Sequence, residues 1–341
     1  PGGPRPPLDQ AVKVAGYSPA MRTRLTEILD VDHPVMLAGM GGVSYHALVT
    51  AVSEAGGFGC LGASTMGDDE MVSEIAAVRA ATKRPFGVDL LTAAPQDHER
   101  KVNEIADGGA TVFVAGLGVP REVVDLCHRR NLLGVNMCGK VRHAIAAVEA
   151  GCDIVVAQGT EAGGHTGQVA TFPLVPQVVD AVGDRVPVVA AGGISDGRGL
   201  AAALALGADG IWVGTRFIAT PEARGVIGYK DAIVALAEDE TVVTRAYTGK
   251  TCRVIRNDYT NEFDAAGGVA EPFPGQYIKS LKDGANHLGG DESTPDVDPD
   301  REFMPAGQGA GAIDELVPAA ELVERFVAEA ERALDRVVAY R

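Results

Sequence analysis

From residue 35 onward the chain repeats one unit with little interruption: a short apolar run, a glycine-bearing turn, then a segment of helical period. That alternation predicts βα units on a parallel sheet, because each strand must be carried back across a sheet face before the next can pair in the same direction. The expected strands run Val35 to Ala38, Phe58 to Leu61, Phe86 to Leu91, Thr111 to Ala115, Leu133 to Met137, Asp153 to Gln158, Pro187 to Ala191 and Gly210 to Val213. Roughly eight such strands is the number that closes a (β/α)8 barrel. Expected helices include Asp68 to Ala81, His98 to Asp107, Pro120 to Arg130, Val141 to Ala150 and Arg198 to Leu206, with Gly151 and Gly207 as stops. The runs EAGCDIVVAQG and ALGADGIWVGT share one layout, helix end, Gly-x-Asp, strand.

The rhythm breaks near residue 220. A helical stretch is expected from Glu222 to Glu238, followed by polar, proline-rich chain and an acidic loop from Asp291 to Glu302, before a periodic helix from Ile313 to about Ala339. An eighth barrel helix should follow the eighth strand directly. The expected fold is therefore α/β, a (β/α)8 barrel with a C-terminal insertion or lid: leader 1–20, barrel 21–221, insertion 222–311, and a helix over 312–341 that completes the outer ring.

A net charge of −16 argues against nucleic acid or an anionic membrane as partner. The five cysteines are odd in number and lack metal-ligand spacing, which points to a reduced, cytoplasmic setting without a metal site. No apolar run approaches membrane-spanning length.

Chemistry should sit where strands end. The run Asp153-Ile154-Val155-Val156-Ala157 leads into QGTEAGGHTG, residues 158–167, where Gly159, Gly163 and Gly164 permit positive φ and Glu161 and His165 are expected to project into the space above. His165 is the candidate catalytic residue. The other histidines, His33, His46, His98, His128, His143 and His287, show no partner pattern and read as packing or surface residues. Gly192-Gly193 and Gly214-Thr215 end the last two strands, the positions at which a barrel builds a phosphate site from backbone N–H groups. Ala38, Gly39 and Met40 end the first strand, Asp89 lies near the end of the third, and Gln158 ends the sixth. A flat, phosphate-bearing cofactor spanning this rim would be flavin mononucleotide (FMN); no GxGxxG supports a Rossmann site.

These residues carry a resemblance. The motifs HPVMLAGMGG, AVSEAGGFGCLGA, PFGVDLL, VVAQGTEAGGHTG and VPVVAAGGISDGRGLAAALALGADGIWVGTRF, and more loosely MPAGQGAG, resemble the nitronate monooxygenases (2-nitropropane dioxygenases), a family that also includes flavin-dependent enoyl-acyl carrier protein reductases and NAD(P)H:quinone reductases. The resemblance implies a TIM-barrel flavoprotein with FMN. Ala38, Gly39, Met40, Gln158 and Gly163 would lie by the ring, Gly192, Gly193, Gly214 and Thr215 would hold the phosphate, and His165 would face substrate. It also implies an oxidoreductase acting on a small molecule, a nitronate oxidised with O2 to a carbonyl compound and nitrite, or alternatively a quinone or enoyl thioester reduced with NAD(P)H; a homodimer is allowed. Two departures stand out. Asp89 occupies a position where relatives carry asparagine, and Asn136-Met137-Cys138 lacks the lysine some members have at the fifth strand end, with Lys140 nearby.

Overall fold

The computed structural model describes residues 21–92, 96–116, 118 and 121–340. The expected leader 1–20, and Pro120 as a helix start, lie outside the described residues. The strands are β1 (Val35–Leu37), β2 (Gly59–Gly62), β3 (Phe86–Leu91), β4 (Val112–Gly116), β5 (Leu133–Cys138), β6 (Ile154–Gln158), β7 (Gly164–His165), β8 (Val188–Ala191), β9 (Gly210–Val213), β10 (Thr241–Thr244) and β11 (Cys252–Ile255). Eight of them form one parallel sheet in the order β1, β9, β8, β6, β5, β4, β3, β2. The ring closes where the Phe58 N–H donates to Val35 O and the Leu37 N–H donates to Phe58 O, both at 2.9 Å. This is the TIM-barrel fold, and each barrel strand lies within one residue of its expected bounds.

Alternation along the strands sorts the side chains. Met36, Phe58, Val112, Val135, Ile154, Val156, Val189 and Trp212 fill the barrel interior, while their neighbours Leu37, Leu61, Val88, Phe113, Val155 and Val213 face the helices. Both faces are thus dry, and each buried aliphatic or aromatic side chain contributes about 1.5–3 kcal/mol of transfer free energy. The shared Gly-x-Asp layout has a structural reason. Gly151 and Gly207 take φ of +103° and +91° to end their helices, and the following aspartate bonds back to an earlier barrel strand. Asp153 accepts from Gly134 N at 2.7 Å, and Asp209 accepts from Val188 N at 3.0 Å.

Between β9 and the terminal helix the chain departs from expectation. The helix expected from Glu222 to Glu238 is confined to Tyr229–Ala235, because Gly228 takes φ +82° immediately before it and cannot continue a right-handed helix. The terminal helix begins at Ala319, not Ile313. Pro318 stands at its N-cap, and the residue preceding a proline is driven out of helical backbone. The segment in between holds β10 and β11, which join β7 in a three-stranded antiparallel sheet, so that the loop after β6 is itself paired to the insertion. Tyr247, Tyr259 and Phe303 form its core.

Helix Ala319–Val338 then packs against helices Gly197–Ala205 and His46–Glu54, filling the space between the seventh and first helices of the ring. The contact with Gly197 is backbone to backbone: a Cβ there would lie 2.3 Å from Phe326 O, and Gly197 N donates to Glu329 Oε2 at 2.9 Å. Replacing Gly197 by valine is expected to destabilise the fold by about 1–3 kcal/mol, the cost of overpacking a dense contact; urea unfolding of the variant beside the parent protein measures it.

Candidate active site

At the C-terminal ends of the strands the inward-facing positions become small. Ala38, Gly62, Gly116, Ala191 and Gly214 occupy this layer, above Cys60, Val114 and Trp212. Asp89 and Gln158 share it and are half-buried, as are Gly39, Met40, His165 and Thr215. All ten residues expected to hold the cofactor, and His165, belong to this one rim.

The turn after β1 is held by a residue the sequence reading passed over. Ser44, fully buried, donates to Ala38 O at 2.8 Å and accepts from Met40 N at 3.1 Å. This brings Gly39 so close to Asp89 that a Cβ on Gly39 would lie 2.3 Å from that of Asp89. Met40 closes the turn from the other side, with its sulfur 3.2 Å from where a Cβ on Gly214 would stand.

His165 is fixed from three directions. As part of β7 it pairs with Cys252 of β11; its carbonyl accepts from Gln158 Nε2 at 2.7 Å; and its Nε2 lies 3.1 Å from Thr248 Oγ1. The Thr248 hydroxyl is buried and accepts from the Lys250 N–H at 3.2 Å, so the ring orientation is set by the insertion. Desolvation, with a smaller contribution from the Lys250 charge, pulls the imidazole down to about 4. At neutral pH His165 is therefore an uncharged base, and the Lys250 ammonium, which lies over the Phe273 ring at 4.5 Å, acts on it through space.

The glycines around it do different work from that expected. Of the three, only Gly164 has positive φ, +74°, with open space where its side chain would be. Gly159 and Gly163 serve close packing: a Cβ on Gly159 would strike Thr171 Oγ1 at 2.0 Å, and one on Gly163 would lie 2.7 Å from Gly307 N. Nor is Glu161 free to act in the cleft. Its carboxylate accepts from Thr171 N and Thr171 Oγ1, both at 2.9 Å, and caps helix Thr171–Val182, whose own N-cap residue Ala170 has no side-chain acceptor.

Gly192 and Gly193 take φ of +107° and +71°. Among the described residues, the N–H groups of Gly192, Gly193 and Gly214 have no protein acceptor. Unpaired donors at two adjacent strand ends, next to the start of the short helix Thr215–Ile218, have the chemistry of an anion cradle. The small-residue floor beside it admits a flat ring. The residues present thus fit FMN in both its parts. Thr215 Oγ1 accepts from Gly307 N at 2.9 Å, and Gln308 N donates to Glu161 O at 2.9 Å, so the late Gly307-Gln308-Gly309 segment returns to this rim.

Among the described residues Asp89 has no cation beside it, and desolvation pushes its carboxyl up to about 8. Asn136 does not substitute for a flavin-facing lysine, since its amide donates to Ala115 O at 2.9 Å and to Gly118 O at 3.2 Å. Lys140 follows Gly139, which packs against Gly167 in the His165 loop. The five cysteines are free and buried; burial pushes the Cys138 thiol up to about 12. Among the described residues no group of histidine, cysteine and carboxylate side chains is arranged to hold a metal, and no helix is long and apolar enough to cross a membrane. Thr248, Lys250 and the buried Arg253, which donates to Thr160 O at 2.9 Å, were not legible as site residues. Nothing in the sequence links them to a loop more than eighty residues away except the cation-bearing turn Thr248-Gly249-Lys250-Thr251.

A family profile described as "Nitronate monooxygenase" matches residues 22–107 and 92–329. The chain is 33% identical over 342 residues to a (3aS,4S,5R,7aS)-5-hydroxy-7a-methyl-1-oxo-octahydro-1H-indene-4-carboxyl-CoA dehydrogenase of Mycobacterium tuberculosis, covering 91% of this chain and 96% of that protein. Among solved structures, FabK from Thermotoga maritima has a TM-score of 0.83 at 33% identity, covering 94% of this chain and all of its own. A nitroalkane oxidase from Streptomyces ansochromogenes has a TM-score of 0.78 at 31% identity, with 92% and 99% covered.

The electrostatics of His165 can be read directly. In a ring-proton NMR titration it is expected to stay neutral down to pH of about 4. Lys250→Gln should raise that value while leaving it below the ordinary 6.5, because desolvation is the larger cause. An ordinary titration near 6.5 in the parent protein would contradict the burial described.

Proposed function

The chain belongs to the nitronate monooxygenase family and is an oxidoreductase; from that premise we propose that it binds FMN and oxidises alkyl nitronates with O2 to a carbonyl compound and nitrite. FMN, when bound, supplies two-electron acceptance and reactivity toward O2. Gly192, Gly193, Gly214 and Thr215 hold its phosphate, and Ala38, Gly39, Met40, Asp89, Gln158 and Gly163 border its ring.

The observation that carries the reading is a neutral imidazole at the rim, held in place by Thr248 and within the electrostatic reach of Lys250. His165 accepts the proton next to the nitro group of a neutral nitroalkane, and Lys250 stabilises the anion that results or that arrives as nitronate. Thr248 and the β7–β11 pairing keep the ring oriented. The insertion 222–311 acts as the lid that selects substrate, since it supplies both Thr248 and Lys250.

A second reading has its own support. The Mycobacterium tuberculosis relative, matched over nearly its full length, is named for a carboxyl-CoA substrate. Reduction of an enoyl thioester adds a proton at the carbon beside the thioester carbonyl, the reverse of the transfer proposed above and placed at the same His165, and the cations Lys250 and Lys140 suit a phosphate-bearing thioester. On that reading NAD(P)H is the electron partner and no nitrite forms.

His165→Ala is expected to keep bound flavin while losing about 10²–10⁴-fold in nitrite release from a neutral nitroalkane. Turnover at the parent rate with flavin in place would remove His165 from the mechanism. Anaerobic mixing separates the readings: bleaching of the flavin by a nitronate supports the first, and bleaching by NADPH without nitrite release supports the second.

A further inference from the structure

Among the described residues Asp89 is the one carboxyl group on the floor of the cleft, and its surroundings are unusual for a charged side chain. It projects inward from β3 between two glycines, with its Oδ2 3.0 Å from where a Cβ on Gly39 would stand and its Oδ1 3.4 Å from one on Gly116. Among the described residues it has no hydrogen-bond partner and no ion-pair partner. The titratable group that faces it from β2 is the buried thiol of Cys60, itself held neutral by burial; the β1 turn presents Gly39 and β4 presents Gly116 and Val114, none of which titrates. A side chain with this placement is half-buried, aimed at the layer where a flat ring would rest, and left without a partner by the protein.

On the FMN reading given above, we propose that Asp89 meets the flavin as a neutral carboxylic acid and donates a hydrogen bond to it, making flavin binding depend on the protonation of this one group. Three facts support it. An ionised carboxylate is acceptor-only, whereas a protonated one carries an O–H that can reach a ring nitrogen or carbonyl. No cation repays the cost of burying the charge, and desolvation alone holds the group protonated to about pH 8. The glycines on either side leave room for the ring to approach the carboxyl without a Cβ between them. Asparagine at this position would donate through its amide at every pH. Aspartic acid keeps the donor while adding a pH limit.

The sign follows from linkage. The protonated form binds, so affinity is full below about pH 8 and falls as pH rises through that value, by about tenfold for each further pH unit. The test titrates apoprotein with FMN, following quenching of flavin fluorescence, between pH 6.5 and 9.5, for the parent protein and for Asp89→Asn and Asp89→Leu. In the parent the dissociation constant is expected to be flat up to about pH 8 and then to climb. Asp89→Asn should remain flat and near the parent's low-pH value. Asp89→Leu should be flat but weaker. Equal pH dependence in parent and Asp89→Asn, or none in the parent, overturns the proposal while leaving the FMN reading intact. Failure of the parent to take up FMN at any pH overturns both.

Discussion

The structure rests on a size constraint at one layer of the barrel. Eight strands close around an interior filled by branched and aromatic side chains, and that packing would continue to the rim if the inward positions there were also large. They are Ala38, Gly62, Gly116, Ala191 and Gly214 instead, so the core stops one layer short of the strand ends. The missing side chains cost packing energy and leave a floor. Everything placed around that floor has to be held from outside it: the Ala38–Met40 turn by Ser44, the His165 loop by β11, and the glycines after β8 by the late Gly307–Gly309 segment.

The barrel was legible because its evidence is local and repeated. A β-branched run four to six residues long, a glycine with positive φ and an amphipathic helix can each be recognised within a dozen residues, and the Gly-x-Asp repeat even marks where one strand bonds to an earlier one. The strand ends followed, and with them Gly192, Gly193, Gly214 and Asp89. What could not be read is long-range. A two-residue strand such as β7 has no periodicity, and its partner β11 lies beyond the last two strands of the barrel. Thr248 and Lys250 reach His165 only through that pairing, so no local pattern points to them. Glu161 failed for a related reason: a carboxylate beside a histidine looks chemical until Thr171, ten residues on, is seen to need a cap.

Glycine itself carried two meanings that the sequence does not separate. Gly164, Gly192 and Gly193 are required by backbone angle, whereas Gly39, Gly159 and Gly163 are required by the approach of another chain segment. In the first group an alanine strains the residue; in the second it displaces a neighbour. The second group reports tertiary structure, because the close contact that demands it involves residues distant in sequence; Gly192 does both, since a Cβ there would lie 2.6 Å from Thr171 Oγ1.

The same desolvation acts in opposite directions on the two titratable groups of the cleft. It lowers His165 to about 4 and raises Asp89 to about 8, because burial penalises whichever form is charged. Between those values both are neutral, and among the described residues the charge that acts on His165 is that of Lys250. A chain with an overall charge of −16 thus holds two neutral titratable groups at this rim across the neutral range. On the proposed function, an anionic substrate would meet attraction from Lys250 without repulsion from a neutral Asp89. Had Asp89 been solvated or paired with an arginine, it would stand ionised on the floor and oppose both the anion and any negative charge gathered on a bound ring. The glycine layer that leaves a floor at the strand ends thus also leaves Asp89 there without a partner, and desolvation raises its carboxyl.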